Sequence, residues 1–226
     1  MSNLFKLSVF TTVAVVIVAT GIAEKAVAQN LTFEGVENLN QVGDFYDTAP
    51  NDFNIQFSPD AIGLVDSDAG GNGNFSNEPS PNTILTFETS SATLNSSVGL
   101  VDSLSFSYVA FNPISLTDPA ATINVLDGSG NLLASQPLLT TPTGDGDPTG
   151  GDYDFTTGPN PVTIPFSGTA QSVVFDAPLN PRGGFTGFDD ISLTPVPEPS
   201  SILGFLTFGA FGARVLLKRK RGKCQN

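Results

Sequence analysis

Between residues 29 and 195 the chain meets a glycine or proline about every fifth position, 33 in 167 residues. Glycine costs a helix interior roughly 1 kcal/mol and proline about 3 kcal/mol, so that spacing leaves no room for long helices. The apolar segments between these breakers are short, and many alternate. Leu104, Phe106 and Tyr108 share one side of a strand, with Ser103, Ser105 and Ser107 on the other. Residues 121–126 and 132–135 flank Asp127-Gly128-Ser129-Gly130-Asn131, the spacing of a hairpin with a glycine-rich loop. Further strands are expected over 31–36, 54–57, 62–65, 84–88, 162–166, 172–175 and 188–193. The fold class is all-β: an antiparallel β-sandwich, jelly-roll-like, of nine or ten strands. Of the 18 phenylalanines, 13 fall in this stretch with all three tyrosines, so the core is expected to be Phe-rich. It contains no cysteine, and burial must hold the fold without a disulfide.

Two segments break the rhythm. Residues 66–82 and 140–161 are polar, glycine-rich and too long for hairpin loops. Loops of that length are functional or disordered. Neither pairs its glycines with a lysine, as a phosphate cradle requires.

Charge narrows the function classes. The whole chain carries a formal −13, but residues 29–195 hold 20 carboxylates against one cation, Arg182. That surface repels phosphate backbones, so nucleic acid is excluded as a partner of this region. The region also lacks His, Lys, Trp and Cys. A His base, a Cys or Lys nucleophile, and a Cys/His zinc site are therefore ruled out within it. Paired carboxylates of a glycosidase type arise by chance among 20 acids and carry no weight. No enzyme is expected.

The termini read as addresses. Lys6, an apolar run over 7–22 and the small residues Ala26 and Ala28 before Gln29 form an export signal spanning 1–28, cut by signal peptidase. At the other end, 196–226 divides into three parts. Val196-Pro197-Glu198-Pro199-Ser200-Ser201 is followed by an apolar run over 202–217 and a basic tail over 218–226. As a helix the run spans about 24 Å against a hydrocarbon core of about 30 Å, with Arg214 able to snorkel. The basic tail stays cytoplasmic, leaving the acidic domain outside. Cys224 lies beyond that cluster on the reducing side.

This tripartite tail resembles the PEP-CTERM sorting signal of exported bacterial surface proteins. The resemblance implies an exosortase as processing enzyme, acting near Val196, Pro197, Glu198 and Pro199. The two prolines hold that segment extended, within reach of such an enzyme. The expected route is export across the inner membrane, transient anchoring by the C-terminal helix, then a cell-surface or extracellular location.

Two carboxylate groups are candidates for a hard cation. Asp189, Ile191 and Leu193 share a face of the last strand, which sets Asp189 inward, where it needs a partner. Arg182, backbone N–H groups or a metal ion are the options. The first strand's Phe33-Glu34 and the last strand's Phe188-Asp189-Asp190-Ile191 resemble the terminal strands of jelly-roll carbohydrate-binding modules. That resemblance implies a structural calcium held through Glu34 with Asp189 or Asp190. Asp145, Asp147, Asp152 and Asp154 form the second group; Asp145 opens a D-x-D-x-T-G run, the first half of an EF-hand-type loop. Its twelfth position is Thr156 rather than Glu, so an intact EF-hand is excluded.

The function expected from these features is an exported cell-surface or extracellular-matrix protein with a structural or adhesive role. The alternative is a carbohydrate-binding, lectin-like module with structural calcium and extracellular polysaccharide as partner. Without Trp, its sugar-stacking rings would be Tyr46, Tyr108, Tyr153 or Phe residues.

Overall fold

The computed structural model describes residues 27–87, 89–111, 118–141, 153–177 and 185–197. All lie in one compact unit, Lys25–Glu198. The first strands are β1 (Gln29–Leu31), β2 (Ile55–Phe57), β3 (Ala61–Val65), β4 (Phe75–Ser76) and β5 (Thr83–Phe87). The long β6 (Ser91–Phe111) is followed by β7 (Ala121–Asp127), β8 (Leu132–Leu138) and β9 (Tyr153–Asp154). The last are β10 (Val162–Pro165), β11 (Ala170–Asp176) and β12 (Phe185–Pro195).

The long strand organises the rest. Residues 91–95 of β6, and Leu100 past a register shift, pair with β11, and 94–96 pair with β2 on the other edge. Residues 103–106 pair with β10, and 104–111 with β12. Between these halves Gly99 and Asp102 take positive φ values of 83° and 72°, which breaks the regular pleat. One half of β6 therefore belongs to a layer ordered β8-β7-β11-β6-β2. The other belongs to β3-β5-β12-β6-β10, with β1 also on β12. Phe175 of β11 lies 4.9 Å from Phe188 of β12 and 6.2 Å from Phe87 of β5, although β11 pairs only with β6 and β7. The two layers thus pack face to face as a β-sandwich, with Leu94, Leu104, Phe106, Ile123, Val125, Val173 and Ile191 in its core.

Most expected strands appear within a residue or two, and the hairpin at 127–131 forms. Asp127 accepts from the N–H groups of Ser129 and Asn131, each at 2.8 Å, and Gly130 supplies φ 80°. Two strands are corrected: the one expected around 104–108 is the second half of the 21-residue β6, and the first strand is displaced. That first strand stops at Leu31 instead of running to 36, because Phe33 (φ 59°) and Gly35 (φ 94°) turn the chain. Glu88 lies outside the described residues.

The described parts of the two long loops meet, a pairing that the sequence does not announce. Strands β4 and β9 pair in parallel, Phe75 opposite Tyr153 and Ser76 opposite Asp154, the only parallel strand pair among the described residues. Phe75 and Phe155 then join Leu64, Ile84 and Val109 in a second apolar cluster, with Tyr153 and Phe185 packed against it. The first loop folds tightly onto β3, where a Cβ on Gly71 would stand 2.0 Å from the Val65 carbonyl oxygen. Phe155 and Phe75, isolated apolar residues in polar surroundings, are the anchors that periodicity does not reveal.

Candidate functional site

Asp189 is fully buried, as its inward placement requires. The strict alternation behind that expectation does not hold, however. A bulge separates Asp189, opposite Ser107, from Ser192, opposite Ser105, and Asp190 at its centre has φ 49°. Phe188, Asp189 and Ile191 are all buried, so both sides of this stretch are covered. Asp189 is covered by Ser80, held between Pro79 and Pro81. The Ser80 N–H donates to Oδ2 at 2.7 Å, and the Asp190 N–H donates to Oδ1 at 2.7 Å.

Ser80 is a centre that sequence reasoning does not reach, because nothing local marks it. Its Oγ lies 2.7 and 2.8 Å from the two Asp189 oxygens and 2.8 Å from the Thr32 carbonyl. The Glu34 Oε1 and the Thr83 carbonyl stand farther off, both at 3.4 Å. A hydroxyl has one proton to give. Its three close contacts, to the two Asp189 oxygens and the Thr32 carbonyl, cannot all be met by that proton, which leaves the cluster short of one hydrogen. Burial pushes the Asp189 carboxyl up to about 7, against the opposing hydrogen bonds from Ser80 and Asp190. A proton on Asp189 would fill that deficit, and the raised carboxyl holds one to higher pH than an exposed carboxyl does. These oxygens are of the type a hard cation takes, but they surround the Ser80 hydroxyl, and each Asp189 oxygen already accepts an N–H.

Glu34 belongs to the cluster, with Oε1 accepting from the N–H groups of Asn82 and Thr83 at 2.9 and 2.8 Å. Tyr46 closes it from below: its hydroxyl accepts from the Phe33 N–H at 2.7 Å. Burial raises the Tyr46 phenol above its ordinary value, and the charges of Asp189 and Glu34 add to the rise. Asp190 does not join. Its side chain accepts from Asn30 Nδ2 at 3.0 Å and lines the outer groove of the layer. Among the described residues no group of three or more Asp, Glu, His or Cys side chains is placed to hold a metal. Glu34, Asp189 and Asp190 are accordingly not brought together as a set.

Of the second group, Asp145, Asp147 and Asp152 lie outside the described residues, as does Arg182. Asp154 is engaged by its own turn. Burial opposes the shift, but the Thr156 hydroxyl and N–H, each at 2.7 Å, and Asn77 at 3.2 Å lower its carboxyl. In the first loop Asp66 is buried and caps a short 3-10 turn, Ser67–Ala69, through Oδ2; its Oδ1 has no hydrogen-bond partner. Burial raises the Glu78 carboxyl, and the charges of Asp66, Glu34 and Asp68 raise it further. Tyr46 and Tyr108 are buried; Tyr153 is partly exposed and stacks on Phe185 at 4.6 Å.

At the termini, Ala28 is exposed and Gln29 opens β1 opposite Leu193. Ala26 lies outside the described residues, as do Glu198, Pro199 and the apolar runs 7–22 and 202–217. Among the described residues no helix is long and apolar enough to cross a membrane. Strand β12 is held to its end: the Val196 N–H donates to the Gly99 carbonyl at 2.9 Å, and Pro197 is exposed.

The fold is similar to several remote structures. The K1 cleaved adhesin domain of Lys-gingipain from Porphyromonas gingivalis W83 aligns at 11% identity and TM-score 0.45, covering 74% of this chain and 97% of that one. The K2 domain of Lys-gingipain aligns at 11% and 0.44, with coverages of 74% and 97%. CsCBM6-3 from Clostridium stercorarium, solved with cellobiose, aligns at 17% and 0.32, with coverages of 74% and 93%. Comparison with curated proteins gives no significant match. The family comparison is specific to the tail, where residues 195–221 match the PEP-CTERM protein-sorting motif. The chain therefore carries a PEP-CTERM sorting signal at these residues, which indicates export to a surface or extracellular location and implies processing by an exosortase.

Proposed function

We propose that the chain is a cell-surface or extracellular-matrix protein with a structural or adhesive role and no enzymatic activity. Signal peptidase removes 1–28, and the segment 202–217 anchors the protein until exosortase acts. The observation that supports this reading is the sorting signal starting where the sandwich ends. The Val196 N–H is still bonded to Gly99, while the next residue, Pro197, is exposed. A cut beyond Pro197 leaves every described strand intact. The test is mass spectrometry of the native C-terminus in cells that hold the processing enzyme, together with deletion of 198–226. A mature end near the Pro-Glu-Pro segment, and altered accumulation of the deletion variant, are expected. Native molecules ending at Asn226 would refute the reading.

A second reading is a lectin-like, jelly-roll carbohydrate-binding module with structural calcium, and the oxygen cluster at Ser80 favours it. Glu34, Asp189, Ser80 and the Thr32 and Thr83 carbonyls would hold the ion, and its charge would replace the missing proton. Melting in millimolar calcium should then exceed melting in chelator, and Asp189→Ala should blunt the difference. Equal melting temperatures would remove calcium from the account.

A further inference from the structure

The outer face of the layer holding β12 bears an open groove of about 810 Å³, within the size range of small-molecule sites. Its floor follows one register row across three strands, β1, β12 and β6, and the row continues beyond the groove into β10. Asn30 of β1 stands opposite Ser192 of β12, Ser192 opposite Ser105 of β6, and Ser105 opposite Thr163 of β10. Every member of the row is an amide or a hydroxyl, and none is bulky, so the face is recessed. The walls come from the two long loops, Asn77 and Pro79 on one side and Thr156 on the other.

Those walls are built before any ligand arrives. Asn77 Nδ2 donates to Asp154 Oδ1 at 3.2 Å and ties one loop to the other. The neighbouring Ser80 is fastened to Asp189 by both its N–H and its hydroxyl. Asn160 clamps the second loop to β6, donating to the Phe155 and Tyr108 carbonyls at 2.6 and 3.0 Å and accepting from the Tyr108 N–H at 2.9 Å. A preformed site spares its ligand the cost of ordering loops.

The lining selects the ligand class. Beside the apolar Pro79, Phe155 and Pro161, the hydroxyls and amides of the lining both donate and accept, a mixture that matches the apolar faces and hydroxyl edges of a sugar chain. The one charged lining residue is Asp190, whose Oδ1 is held by Asn30 while Oδ2 remains an acceptor for a ligand hydroxyl. A carboxylate there, on a strongly acidic domain, disfavours anions. We propose that this groove binds a segment of neutral polysaccharide, with Asn30, Ser105 and Ser192 hydrogen-bonding its hydroxyls and Asp190 accepting from one of them. The proposal rests on the carbohydrate-binding reading and gives it a location.

Affinity electrophoresis of the full chain in detergent tests it, using gels containing dextran, mannan, hydroxyethyl cellulose or, as an anionic probe, polygalacturonate. At least one neutral polymer should retard the chain and polygalacturonate should not. Ser105→Leu and Ser192→Leu fill the floor and should weaken retardation at least tenfold. Asn30→Ala, at an exposed edge position, should weaken it without a packing change. Ser172→Leu, on the other layer, should migrate like the parent. Retardation that survives the three groove variants but not Ser172→Leu would move the site and overturn this proposal, leaving carbohydrate binding in place. Retardation by polygalacturonate alone would overturn the ligand class. No retardation in any gel would overturn both the proposal and the reading beneath it.

Discussion

Replacing Asp189 with Asn should flatten the dependence of stability on pH. The carboxyl is raised from 3.8 to about 7 by burial, and the side chain has no exposed surface, so solvent screening does not reduce the effect. Between those values the folded chain holds a proton that the unfolded chain has released. The folded state then binds more protons, and stability falls as pH rises through the window. A shift of about 3 units at 1.36 kcal/mol each gives about 4 kcal/mol in full, or about 3 kcal/mol between about pH 4.5 and 7.5. Calcium in the cluster would hold the carboxylate and cancel the slope, so the measurement belongs in chelator. Urea unfolding of 29–197, followed by circular dichroism, gives the free energy at each pH. Asn offers one acceptor oxygen where Asp189 meets two N–H donors, so Asp189→Asn should lose about 1–2 kcal/mol at every pH. The discriminating quantity is therefore the slope relative to the parent, which also cancels the general repulsion among the other acids. Parallel profiles for the two proteins would show that Asp189 is charged throughout, and the proton-deficit argument would fall.

Two further outcomes follow from the packing. Phe155→Ala should cost about 3 kcal/mol, since it empties the centre of the second cluster. Limited proteolysis should then cut within 66–82 before the sandwich unfolds; uniform resistance would show that the two loops stand independently. Gly63→Ala should cost about 1–3 kcal/mol, because its Cβ would meet Val36 Cγ1 at 2.6 Å on a turn that Leu39 and Asn40 tie to the Gly63 carbonyl and N–H. Chemical denaturation reads that loss, and a neutral result would mean that the 36–40 turn yields freely.

Much of this protein was legible from residue order alone. Breaker spacing and alternation yield strands, because those signals act over two to eight neighbours, and the tail motif is local by nature. Alternation from Ile191 and Leu193 sets Asp189 inward, and it is buried, yet the bulge at Asp190 resets that alternation between them. Ser80, the partner of Asp189, lies 109 positions away in a loop whose composition gives no hint of it. Residue order leaves open whether Asp189 or Asp190 joins Glu34; the fold keeps Asp189 beside it and sends Asp190 to the outer face.

By itself, then, the sequence determined that this protein is built of strands, is acidic, has no His, Lys or Cys between residues 29 and 195 and bears an export address, since each follows from composition or contiguous pattern. Only the tertiary structure decided which loops touch, which acid is covered and which face is hollow. Those outcomes depend on pairings between residues dozens to more than a hundred positions apart, set by the bend in β6 and by two phenylalanines, Phe75 and Phe155, that close the loops onto each other.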